Sequence, residues 1–189
     1  EVIGFYKSVL PKYYVIPQAW SEVIERLEAN NVEMTRFDSD TLIEVTAKYV
    51  SYYETLETPY EGHFLHKNTG VVERKEQIRF YTGDVLISTE QVARRYLANT
   101  LDSQSEDSFL NWNFFDSVLN QKEYFSSYLF EKTAAEILER DNMLRRTLEL
   151  KKRKDPSFAD DARAQLKFVY ENSKYYEKGH LRLPVFELR

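Results

Sequence analysis

The apolar residues of this sequence change their spacing twice, and that change limits the fold more than any single motif does. Between Pro17 and Leu27 they recur as on a helix, with Trp20, Val23, Ile24 and Leu27 at i, i+3, i+4 and i+7. From Val32 to Ile87 the period drops to two, and after Ser88 it returns to that of a helix for almost all of the remainder. A period of two puts alternate side chains on opposite faces of a sheet, whereas a helical period gathers them on one stripe. The pattern predicts an α+β fold: a small, mainly antiparallel sheet with a flanking helix, followed by an all-helical half. It divides the chain into a sheet subdomain, 1–88, and a helical subdomain, 89–189, expected to pack as one structural unit.

Individual elements follow from the same spacing. Tyr13 to Ile16 reads as a short strand, and Pro17 opens the first helix, with Glu22 and Arg26 placed to pair on its exposed face and Asn30-Asn31 as a left-handed stop. Ile43, Val45, Ala47 and Tyr49 share one face of a half-buried strand, with Glu44, Thr46 and Lys48 on the other. The adjacent Tyr52 and Tyr53 break this phase, which predicts a bulge. Asn68-Thr69-Gly70 reads as a hairpin turn leading to a strand marked by Val72, Ile78 and Phe80. The centre of that strand, Glu73 to Gln77, is polar on both faces, as a solvated edge would be. Gly83-Asp84 turns the chain into a last strand, Val85 to Ile87.

Ser88 and Gln91 have the spacing of a capping box, after which helices are predicted at Glu90 to Asn99, Asp107 to Leu119, Glu123 to Glu139, Asp141 to Arg153 and Asp160 to Asn172. Asp107, Asp141 and Asp160 stand where they would cap three of these, and Asp155-Pro156 breaks the chain between the last two. The tail, His180 to Leu188, reads as an extended segment docked on the body.

Composition narrows the function classes. At 189 residues the chain can bury a core without metals or disulfides, and it contains no cysteine that could supply thiol chemistry. Lys and Arg number 26 against 31 Asp and Glu, a net charge of -5 spread along the chain. That balance argues against a nucleic-acid partner, and no apolar run approaches the roughly 20 residues of a membrane span. The opening, Glu1 to Tyr14, has neither an initiator Met nor a leader pattern, and reads as the start of a segment of something longer.

Candidate chemistry is sparse. His63 and His66 are the only close histidine pair, and on a strand they would point to opposite faces, so both are expected as solvated residues and not as metal ligands. His180 is likewise expected at the surface. The paired carboxylates Asp38 with Asp40, Glu106-Asp107 and Asp160-Asp161 sit where turns and caps would put them, which leaves no catalytic residue assigned. Five glycines are too few for a phosphate-cradling loop, and the run Lys151 to Lys154 complements a helix C-terminus.

The densest signal is the aromatic stretch from Asp107 to Leu138. Trp112, Phe115 and Leu119 share one stripe, with Phe114 and Val118 beside it, wider than one helix contact requires. Such a face is either buried on two sides or docks a partner. Trp112, Asn113, Phe114, Phe115, Gln121, Glu123 and Tyr124 are therefore the candidate docking or ligand surface, suited to a glycan or a peptide if the rings face solvent.

Several blocks also carry a family resemblance. Tyr14-Val15-Ile16-Pro17-Gln18-Ala19-Trp20 followed by Glu22-Val23-Ile24-Glu25-Arg26-Leu27 resembles a segment that follows the catalytic domain in large bacterial zinc metallocarboxypeptidases, relatives of carboxypeptidase A. Pro59-Tyr60-Glu61-Gly62-His63, the stretch Gln91 to Leu97, and Asp107-Ser108 with Trp112, Phe114-Phe115 and Gln121-Lys122-Glu123-Tyr124 resemble later blocks of that region. Asp155-Pro156 with Phe158, then Phe168, Tyr170, Glu171 and Ser173, resemble its ending. The family's zinc-binding His-x-x-Glu does not occur in this sequence.

The resemblance implies a noncatalytic C-terminal accessory region of a secreted or periplasmic zinc exopeptidase. Zinc would belong to the catalytic domain and no cofactor to this segment. The implied partner is that catalytic domain on the same polypeptide, with a role in stabilising or gating it or in homo-oligomerisation. The residues themselves leave two other readings open, a glycan- or peptide-binding module and a hydrolase built on paired carboxylates.

Overall fold

The computed structural model describes residues 9–189, so the first eight residues of the sequence-based sheet subdomain, and most of the Glu1 to Tyr14 opening, lie outside the described residues. The fold is α+β, with a six-stranded antiparallel sheet and seven helices among the described residues. Its elements are β1 (Tyr13–Ile16), α1 (Ser21–Ala29), β2 (Thr35–Arg36), β3 (Thr41–Thr55), β4 (His66–Phe80), β5 (Val85–Ser88), α2 (Arg94–Leu101), α3 (Asp116–Leu119), α4 (Ser127–Arg140), α5 (Asn142–Lys154), α6 (Pro156–Asp160), α7 (Ala162–Glu171) and β6 (Phe186–Leu188).

Two compact units divide the chain at Asn120, with the first regaining Leu181–Arg189 and the second comprising Gln121–His180. The boundary thus falls some way beyond the residue 88 suggested by the change of period. The reason is that Leu97, Leu101, Leu110, Phe115 and Val118 belong to the core formed with β1, β5 and α1. Hydrophobic period identifies element type, not the core an element joins.

In the first unit the strand order is β2-β5-β1-β6-β3-β4, which puts the three residues of β6 in the middle of the sheet. Tyr13, Tyr14 and Val15 pair with Leu188, Glu187 and Phe186, and Thr46 of β3 pairs with Glu187. The approach to β6 is bonded as well, since Val50 N–H donates to Leu181 O and Leu183 N–H to Lys48 O, each at 2.8–2.9 Å. The tail is the docked extended segment expected from sequence, and it bridges the gap between β1 and β3.

This insertion corrects the expected half-burial of β3. Residues 45–48 are buried on both faces, so Lys48 is enclosed along with Val45 and Ala47. Its ammonium lies 2.6 Å from Glu187 and 3.9 Å from Asp102, both buried carboxylates. The tail thus brings a counter-ion for the enclosed cation.

Other differences have local causes. Asn68-Thr69-Gly70 is not a turn but part of β4, paired opposite the bulged end of β3, and the hairpin connection is the ten-residue loop before His66. The irregularity at Val50/Tyr52 is where the two tyrosines predicted a bulge. Glu73 to Gln77 lies on the edge strand β4, mostly exposed.

Ser88 and Gln91 close a turn and do not cap a helix, which begins only at Arg94. The Gln91 amide instead exchanges hydrogen bonds with the backbone of Glu33, at 2.8 and 3.1 Å. Arg26 is not paired with Glu22. Its guanidinium lies 5.5 Å from the centre of the Phe114 ring.

The second unit is a set of short helices around Phe130, Leu144, Leu148, Phe158, Val169 and Tyr170. Three of its helices are capped by an aspartate accepting the N–H three residues on: Asp141 from Leu144, Asp155 from Phe158 and Asp161 from Ala164. Asp160, expected as a cap, ends α6 instead, because Asp155-Pro156 starts a helix as well as breaking one. Among the described residues no helix is long and apolar enough to cross a membrane.

Candidate functional site

The predicted helix from Asp107 to Leu119 exists only as its last turn, α3, and the remainder is a series of turns. Small polar side chains take the backbone bonds that a helix would use. Ser108 Oγ accepts from Asn111 N–H, and the Asn111 amide donates to Ser105 O at 2.8 Å. Asn113 adopts φ 66°, a left-handed conformation that ends any helical run, and its amide donates to Phe64 O at 2.9 Å.

These turns send the rings in different directions. Phe109 and Phe115 are buried, the latter edge-on to Trp20 at 5.1 Å. Phe114 is half-buried against Phe109, and Trp112 is half-buried at the surface. Gln121, Glu123 and Tyr124 belong to the second unit, so the seven candidate residues are divided between two units.

Around Trp112 the first unit forms a recess of about 310 Å³. One wall is the turn Tyr60–His63, whose end residues exchange backbone hydrogen bonds of 2.9 Å. Both central residues have positive φ, 48° at Glu61 and 83° at Gly62, as in a type I′ turn. His63 lies edge-on to Trp112 at 5.6 Å and Tyr60 at 6.2 Å. Asp107, Phe109, Trp112 and Phe114 line the remainder, together with Arg26 from α1. Arg26, Glu61 and Asp107 have no hydrogen-bonded or ion-pair partner for their side chains among the described residues, and all three are exposed.

Comparison with known proteins yields nothing here. No protein family, curated protein or solved structure matches this chain.

His66 is not the solvated residue expected from sequence. It is buried, with Nδ1 2.9 Å from Thr55 Oγ1 and Nε2 2.9 Å from Asp116 Oδ1. The Asn113 amide is 3.3 Å from the same Nε2, and His66 N–H donates to Asn111 O. The hydroxyl, imidazole and carboxylate tie the end of the β3–β4 hairpin to the 105–119 turns. Sequence reading missed this set because its members lie far apart in the chain. The two residues between His63 and His66, Phe64 and Leu65, leave the former at the surface and turn the latter inward.

Among the described residues no group of three or more His, Asp or Glu is placed to hold a metal ion. His180 is half-buried in the second unit, with Nδ1 against the Tyr176 hydroxyl.

The second unit presents a groove of about 440 Å³ lined by Tyr124, Phe125, Leu129, Phe130, Tyr170 and Tyr175, among others. Tyr124 is 79% exposed and Leu129 73%. The backbone before this groove is held by Glu177, whose carboxylate accepts from Lys122 N–H at 2.8 Å and Glu123 N–H at 3.2 Å. Those amide bonds, chiefly from Lys122, hold the Glu177 carboxyl below its ordinary range.

Proposed function

We propose that this chain is a noncatalytic accessory region of an exported zinc metallocarboxypeptidase, acting on the catalytic domain of the same polypeptide by stabilising it or gating access to its cleft. The observation that carries the reading is the make-up of the Trp112 recess. All of its lining residues except Phe109 come from the blocks that resemble the family: Arg26 from one, Glu61 and His63 from a second, Asp107, Trp112 and Phe114 from a third. Residues serving core packing alone would be spread through the interior, as Val23 and Leu27 are. Blocks far apart in sequence that meet around a surface indole and three unpaired charges are better suited to contact with something outside the unit.

The purified chain supplied with zinc is expected to release no C-terminal residues from peptides. Robust zinc-dependent turnover by the chain itself would overturn the reading. So would a parent coding sequence with no His-x-x-Glu upstream of this segment.

A further inference from the structure

We propose that the Trp112 recess binds a free amino acid as its zwitterion, one with an aromatic or long apolar side chain. The charges decide the ligand class. Arg26 is the one permanent cation in the lining, and Glu61 and Asp107 are carboxylates, none of them neutralised by a neighbour among the described residues. A simple anion drawn to Arg26 would meet two carboxylates, and a simple cation would meet the guanidinium. A ligand carrying both signs offers a partner to each kind of charge. Phe109, Phe114 and the Trp112 indole supply the apolar surface for its side chain. The volume of about 310 Å³ lies at the small end of ligand pockets, about 300–1,000 Å³.

Glu61 gives independent support. The first central position of a two-residue hairpin turn with positive φ strongly prefers Asn, Asp or Gly. A glutamate is held there at φ 48°, at a cost in backbone strain, and it lines the recess. Strain kept at a position that lines a pocket points to use of the side chain.

The inference stands on the recess alone and not on parentage. It is tested by titrating the chain with L-phenylalanine while following the indole N–H resonances of its two tryptophans, Trp20 and Trp112, by NMR. The expected result is a saturable shift of the Trp112 signal with Trp20 little changed. Phenylalaninamide, which lacks the carboxylate, and hydrocinnamate, which lacks the ammonium, should each bind about tenfold more weakly. Arg26→Gln should remove the discrimination against the amide. Glu61→Asn should weaken L-phenylalanine about tenfold while raising the melting temperature, which separates lost binding from lost folding. No saturable shift, equal binding of the three compounds, or unchanged affinity in Glu61→Asn would overturn the proposal. Each of those results leaves the accessory-region reading standing, because that reading is tested by turnover and by the upstream sequence.

Discussion

The two units of this chain reach stability by opposite routes. In the second, three of the helices are specified largely by their own residues: an aspartate cap at each N-terminus, and basic residues Lys151 to Lys154 in the last turn of α5. In the first, the decisive contacts join residues far apart in sequence. β6 pairs with β1 across most of the chain, and Lys48 finds its counter-ion in Glu187. Local capping makes structure in small increments, whereas non-local pairing concentrates it in a few contacts whose loss is felt throughout a sheet.

The largest expected effect is therefore at Lys48. Lys48→Met keeps the length of the side chain but leaves Asp102 buried without its cation and Glu187 with Arg189 alone, bound 2.8 Å from its other carboxylate oxygen. Breaking one side of a buried pair costs about 3–5 kcal/mol, and the Arg189 contact that remains on Glu187 puts this variant at the low end. Both tryptophans lie in the first unit, so denaturation followed by tryptophan fluorescence reads that loss directly. A Lys48→Met protein unfolding at the wild-type denaturant concentration would show that the Lys48 charge does not hold the tail.

The same contrast explains what could be read from the sequence. The α+β class, α1 with its Asn31 stop, β1, β5, the bulge near Tyr52, the caps at Asp141 and the docked tail all express themselves within a few residues. The burial of Lys48 does not, because it depends on a strand well over a hundred positions away. Asp107 to Leu119 has helical spacing of its rings, but Ser108, Asn111 and Asn113 compete for the backbone and win. For the site, Trp112 and Phe114 were recognisable as aromatic candidates. Arg26, Glu61 and Asp107 were not, since their meeting is set by how α1 and the Tyr60–His63 turn fold onto that segment. A glutamate before a glycine in a short polar stretch was the one local sign, and it became legible only with φ known.

The caps of the second unit should yield a smaller, additive response. Asp141→Ala and Asp161→Ala each remove one side-chain acceptor from a helix start, expected to cost about 1 kcal/mol apiece. Far-ultraviolet circular dichroism during thermal unfolding measures it. The sites begin different helices, so the double variant should show close to the sum. A deficit much greater than the sum would mean that the helices of this unit are coupled as tightly as the strands of the first.

Next in size, and opposite in sign, is Glu61→Asn in the first unit. Asparagine tolerates the left-handed backbone better than glutamate and forms the Asn-Gly pair that two-residue hairpins favour. The expected gain is about 0.5–1 kcal/mol. Chemical denaturation measured beside wild type gives the answer, and a loss of stability would mean that Glu61 contributes more through its carboxylate than its backbone costs.

The smallest effect distinguishes the units by pH. In the second unit, Glu177 accepts from Lys122 N–H, which outweighs its desolvation, and the Glu123 N–H bond with the nearby charges of His180 and Lys122 acts in the same direction. Its carboxyl is depressed in the folded state, so the folded state binds its proton less readily than the unfolded chain does. The contribution of this group is therefore complete above the ordinary carboxyl range and is lost as the pH falls through it. Because Glu177 is only half-buried, solvent keeps the effect small. Amide hydrogen exchange at Lys122 and Glu123 should be slower in wild type than in Glu177→Gln near neutral pH, with the difference closing in acid. A difference that persists unchanged at low pH would show that the glutamine oxygen's geometry, and not the charge of the native side chain, accounts for how this segment is held.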